Sequence, residues 1–219
     1  MLEGFKINCF PLNRAIRVSI ALPKDYNNTA RYYPIIYFLD GQNLYRDEDS
    51  YRSVSLQMES IINQLSSDGK EAIYVGIAAA NDPARREQEY EGSTLADFIL
   101  SSIHPYLNSR YRINKFIYAF CTAKATYTAL LLNKSDLFKG IIIFSPEIEQ
   151  EKIKQMSFPQ DHLCYIYTGT KELDGICYHN ALALKEQNVH AELHFDENDI
   201  HSEAAWKEQV IPALNYIVL

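Results

Sequence analysis

Short apolar runs separated by helix-patterned segments recur along almost the whole chain, and this alternation limits the fold more than any other feature. The runs are Ile16–Leu22, Pro34–Gly41, Glu71–Ala80, Phe116–Phe120, Gly140–Ser145, Leu163–Gly169 and His190–Glu197. The first alternates apolar and polar residues and stops at Pro23, as a half-buried strand does. The next five are continuously apolar, the pattern of strands covered on both faces. The last alternates again and suits a sheet edge. Helices are predicted between them at Val54–Leu65, Thr94–Arg110, Thr122–Leu132, Ile176–Glu186 and Glu203–Tyr216. Strand and helix in alternation imply right-handed crossovers and a mostly parallel sheet between helical layers. No internal repeat or Gly/Ser linker interrupts the 219 residues, so a single α/β domain over 1–219 is expected.

Composition narrows the function classes. An apolar fraction of 47% and a charged fraction of 22% are ordinary for a packed core. The formal charge is −7 and no Lys/Arg stripe stands out, which argues against nucleic acid as a partner. The opening "MLEGFKINCF" has no basic segment followed by an apolar run, and no apolar run approaches bilayer length. Cys9, Cys121, Cys164 and Cys177 form no C-x-x-C pair and show no metal-ligand spacing. The expectation is a cytoplasmic protein with reduced thiols, no metal, no cofactor and no membrane partner.

In open sheets of this type, ligands bind beyond the C-terminal ends of the strands. Those ends carry "LDGQN", "AAAND", "FCTA", "SPE", "TGTKELD" and "ENDIHSE". In "FIYAFCTAKATYTALLL" a strand runs into a helix through Cys121, with Ala119 and Ala123 two residues to either side. This is the outline of a nucleophile elbow, G-x-S-x-G, in which small neighbours let a strained turn present the nucleophile. A helix starting at Thr122 would lower the Cys121 thiol pKa, and the Thr122 backbone N–H would supply half of an oxyanion hole. The plainer alternative is a structural cysteine at a strand end, a common fate for this residue type.

An acid and a base follow in the order that an elbow of this kind requires. After Leu163–Gly169 come Glu172 and Asp174, and after the last strand comes His201. The other five histidines fall on predicted helices, strand starts or strand interiors.

These features together resemble the esterase D ("Putative esterase") branch of the α/β-hydrolases, which includes enterochelin esterases and S-formylglutathione hydrolases. The resemblance rests on "YPIIYFLDGQNLY", on "VGIAAANDPARREQEY" with Arg86, Glu89 and Tyr90, and on "SDLFKGIIIFSPEI", "YTGTKE" and "HSEAAW". It implies the α/β-hydrolase fold without a large lid, the acid at Glu172 with Asp174 as second choice, and the base at His201. It also implies a second oxyanion donor at the backbone N–H of Gln42. Arg86 and Glu89 read as a structural ion pair, Trp206 as a packing residue, and the acidic Arg46–Ser53 loop as a rim or a solvated turn.

Departures from the family pattern matter equally. Where it has G-x-S-x-G-G, this register gives Ala119, Phe120, Cys121, Thr122, Ala123 and Lys124. Lys124 carries an unfavourable charge for a first helical turn, and solvent is its default destination. Two functions follow. One is a hydrolase of small esters or thioesters, in which Cys121 attacks, His201 is the base, Glu172 orients it, and Gln42 and Thr122 hold the oxyanion; dienelactone hydrolases offer a Cys-His-Asp precedent on this fold. The other is a homologue that kept the scaffold and serves as a binding or regulatory protein.

Overall fold

The computed structural model of the chain describes residues 2–159, 161–188, 190–197 and 201–217. Eight strands form one sheet: β1 (Leu2–Cys9), β2 (Arg14–Ala21), β3 (Tyr33–Leu39), β4 (Ile73–Ile77), β5 (Ile113–Thr122), β6 (Gly140–Phe144), β7 (Leu163–Gly169) and β8 (Glu192–Asp196). Their order is β1-β2-β4-β3-β5-β6-β7-β8. The β1/β2 and β2/β4 pairs are antiparallel and every other pair is parallel. Each predicted strand has its counterpart. β1 was not anticipated, because it lies at the sheet edge with most of its residues exposed and carries little apolar signal.

The helices are α1 (Met58–Ser67), α2 (Pro83–Glu91), α3 (Thr94–Phe98), α4 (His104–Asn108), α5 (Thr126–Asn133), α6 (Gln150–Lys154), α7 (Ile176–Gln187) and α8 (Glu203–Ile217), with a π-helical turn at Ile99–Ile103 joining α3 to α4. One core layer packs α3–α5 and α7 on one face of the sheet, and a second packs α1 and α8 on the other. The polar helix α2 has no apolar period to betray it. It is started instead by Asp82, whose side chain accepts from the Arg85 N–H at 2.9 Å, and by Pro83 in the first turn. Among the described residues no helix is long and apolar enough to cross a membrane.

Two local features position the site. The strict period of two along β5 sends Ile117, Ala119 and Cys121 into the first core layer. Tyr118 and Phe120 go into the second, where Phe120 stacks on Phe38 at 4.6 Å. At the end of β3, Gly41 lies directly against β4. A Cβ there would fall 2.3 Å from the Gly76 carbonyl carbon and 2.4 Å from the Ile77 nitrogen. Only a residue without a side chain lets the turn after β3 sit this low on the sheet.

Candidate active site

The strained residue of the β5–α5 junction is Ala123. Strand β5 continues through Thr122, Ala123 has φ 48, a short 3-10 turn covers Ala123–Ala125, and α5 begins only at Thr126. Left-handed backbone at a non-glycine residue is costly and uncommon, and at a strand-to-helix turn it is how an elbow lifts its central residue clear of the sheet. The elbow therefore reads Cys121-Thr122-Ala123-Lys124-Ala125. That is two residues later than the sequence register, with small, fully buried Cys121 and Ala125 on either side of Ala123.

This shift corrects the reading of Cys121. Its side chain is 0% exposed and belongs to the core layer beneath α5, so it does not stand at a helix N-terminus. Burial pushes its thiol pKa far up, opposed only in part by the Thr126 hydroxyl. Cys121 does not line the cavity that holds His201, whereas Thr122, Ala123 and Lys124 do. The Thr122 amide precedes the elbow residue, so the N–H following that residue belongs to Lys124.

His201 and Glu172 come together. His201 Nδ1 lies 3.0 Å from Glu172 Oε2, and the Glu172 side chain is fully buried. Gly169 N–H donates to the other carboxylate oxygen at 2.8 Å, which fixes the group. The turn that bends Glu172 back beneath β7 runs through left-handed Leu173, Asp174 and Gly175, with φ of 47, 55 and 84. Asp174 is exposed on that turn. The imidazole stands edge-on to Trp206 at 5.0 Å, and the Trp206 indole N–H donates to Ser145 Oγ at 2.7 Å. Arg52 donates to the His201 carbonyl at 2.9 Å, so the acidic loop does rim the site. Residues 198–200 of the segment leading to His201 lie outside the described residues.

The cavity over Ala123 has a volume of about 220 Å³. Gln42 lies beside it rather than in its wall, lining a neighbouring cleft, while Asn43 faces the cavity. The Gln42 side chain braces the loops, donating to Asp40 at 3.0 Å and accepting from Ala79 N–H at 3.0 Å. Arg86 and Glu89 do not pair with each other. Arg86 clamps Asp40 through contacts of 2.8 and 2.5 Å, and Glu89 holds Arg14 through contacts of 2.6 Å each. The first clamp ties α2 to the turn after β3, and the second ties α2 to β2.

Lys124 does not run free into solvent. It bridges Glu87 at 2.8 Å and Glu147 at 2.6 Å. Burial disfavours its charge, but those carboxylates outweigh it and hold the ammonium pKa above its ordinary value. Glu203 was not singled out from the sequence. It is buried on the cavity wall, accepts from the Asn43 amide at 3.3 Å, and has its carboxyl pKa raised by burial. Its place two residues after His201 in "HSE" was the available signal. Cys177, which reads from the sequence only as a structural cysteine, lies with its sulfur 4.0 Å from His201 Nδ1, and with Glu172 these groups form the one trio among the described residues compact enough to hold a metal ion.

As arranged, these groups supply an oriented imidazole and a shaped cavity, and the left-handed residue on the cavity wall is an alanine. Comparisons with known proteins place the architecture. The family model described as "Putative esterase" matches residues 11–156. Among solved structures, a ferulic acid esterase superposes with TM-score 0.78 at 14% identity, over 100% of this chain and 97% of its own. The ferric enterobactin esterase of Salmonella typhimurium gives TM-score 0.82 at 14% identity, over 99% of this chain and 58% of its own. The BES protein of Bacillus cereus gives 0.72 at 17% identity, over 100% and 95%. At these identities the likeness carries the fold, which is that of the α/β-hydrolases. No curated protein matches by sequence.

Proposed function

Because the chain belongs to the "Putative esterase" family, we propose that it is a member that no longer forms an acyl-enzyme and uses the inherited site to bind a small ester or carboxylic acid. The carrying observation is Ala123. It holds the left-handed elbow conformation on the wall of the His201 cavity, and its methyl group has no nucleophilic atom. Cys121 offers no substitute, being sealed in the core on the other side of the turn.

The acid–base pair supports binding as readily as turnover. With Nδ1 directed at Glu172, His201 presents Nε2 to a ligand as an acceptor for a hydroxyl or a carboxylic acid proton. Asn43 and Glu203 add an amide and a carboxyl on the same wall. Loss of a nucleophile that acts as a unit with its base costs about 10⁶-fold in kcat, so the native chain is expected to hydrolyse esters near the background rate.

The test compares the native chain with Ala123→Ser and Cys121→Ala on an activated acetate ester and its thioester analogue. The proposal expects near-background rates for the native chain, no change in Cys121→Ala, and a rise of several orders of magnitude in Ala123→Ser. Native turnover abolished by Cys121→Ala would overturn it and restore the cysteine hydrolase.

A further inference from the structure

We propose that Glu172, Cys177 and His201 form a binding site for one divalent cation of the zinc type. The three come from the turn after β7, the first turn of α7 and the segment before α8, which is why no ligand spacing was visible in the sequence. Their donor atoms all lie within 4.8 Å of one another. His201 Nδ1 is 3.0 Å from Glu172 Oε2 and 4.0 Å from Cys177 Sγ. A tetrahedral zinc, with bonds of about 2.3 Å to sulfur and about 2.0–2.2 Å to nitrogen and oxygen, sets its ligands about 3.4–3.6 Å apart. The two separations from His201 Nδ1 each need to change by only about 0.4 Å to meet that geometry, and the Glu172–Cys177 separation lies within 4.8 Å.

The surroundings are built as metal sites are. The free oxygen of Glu172 is pinned by the Gly169 amide, leaving Oε2 presented to His201. The imidazole is held by the edge-on Trp206 ring, and the Cys177 sulfur rests 3.6 Å from the Ser145 carbonyl oxygen. The Gly169 amide is an outer partner of the kind that orients a ligating carboxylate. Cys177 is fully buried, and the His201 side chain is 14% exposed on the cavity, so the ion reaches its ligands past His201. One carboxylate and one thiolate neutralise a 2+ ion. The thiol proton passes to solvent on binding, and where the Nδ1–H tautomer is present its proton moves to Nε2, so the ring stays neutral.

A cation on Nδ1 leaves the only ring proton on Nε2. His201 would then be a fixed hydrogen-bond donor and no longer a base. The site would thus convert between a metal-free acid–base pair and a metal-locked donor.

The experiment is a cobalt(II) titration of the chelator-treated, full-length chain, read in the near-ultraviolet band that a cobalt–thiolate bond produces. One equivalent is expected to saturate the band. Cys177→Ser is expected to remove it and, where the variant keeps the native circular dichroism, to weaken binding by at least about 100-fold, the upper end of what even outer partners cost. Absence of the band in the native chain, or its survival in Cys177→Ser, would overturn the proposal. X-ray absorption at the zinc edge of the loaded native chain gives a check without any variant: one sulfur neighbour is expected, and none would overturn the site. Neither result depends on whether Ala123→Ser gains turnover.

Discussion

Gly41→Ala probes the contact on which the geometry of the site's floor depends. The added Cβ would lie 2.3 Å from the Gly76 carbonyl carbon, 2.4 Å from the Ile77 nitrogen and 2.6 Å from the Gly76 Cα, all main-chain atoms of a central strand. An ordinary carbon contact needs about 3.5–4.0 Å, so the turn after β3 must rise by more than an ångström or β4 must yield. Overpacking a tight interior costs about 1–3 kcal/mol and occasionally more. Losing glycine's freedom in the unfolded chain returns only about 0.4–1 kcal/mol. With no soft side chain to move aside, the net loss should be about 2–3 kcal/mol, toward the top of that range. For a chain of this size that is a fall in Tm of about 4–12 °C. Gly92→Ala is the control, since nothing lies within 4 Å of its Cβ position and its φ of −108 suits any residue. It should be neutral or slightly stabilising. Urea and thermal unfolding of both variants decide the matter, and a Gly41→Ala protein as stable as Gly92→Ala would refute the close-approach argument.

Other expectations follow from the same geometry. Glu89→Gln leaves Arg14 half-paired beneath α2, and should cost toward the lower end of the about 3–5 kcal/mol seen when a buried pair is broken; urea unfolding against the native chain checks it. Trp206→Phe removes the donor to Ser145 Oγ and should cost about 1–3 kcal/mol, read as a lower unfolding midpoint. Glu203 has a carboxyl pKa raised by burial above 4.5, so the stability linked to it is full below 4.5 and is lost as pH rises through its folded value. Glu203→Gln, which can still accept from Asn43, should therefore be more stable than the native chain at neutral pH. The advantage should vanish below pH 4.5 in a series of urea midpoints, and an advantage independent of pH would contradict that reasoning.

Much of the architecture was legible because it is written in apolar period. Five strands buried on both faces leave runs such as "PIIYFL" and "GIIIF" that no helix pattern imitates. What stayed hidden lacks such a period. β1 is an exposed edge strand, and α2 depends on its Asp82 cap and on Arg86 and Glu89 reaching other elements. The contact between His201 and Glu172 was legible because each follows a recognisable strand. The elbow's register was not. "FCTAKAT" can hold the strand for two more residues with small side chains at either spacing, and only the backbone, left-handed at Ala123, decides which residue crowns the turn. Glu203 was missed, and Cys177 was read as merely structural, because helix starts seldom advertise chemistry.

The most direct measurement is the intact mass of the native chain and of Ala123→Ser after exposure to a reactive fluorophosphonate. This account predicts no adduct on the native chain. It predicts a single adduct on Ala123→Ser that maps to position 123, as expected where His201 and Glu172 can activate a hydroxyl placed at the elbow. An adduct on Cys121 of the native chain would contradict it, because that sulfur would have to be exposed and paired with the base rather than sealed in the core.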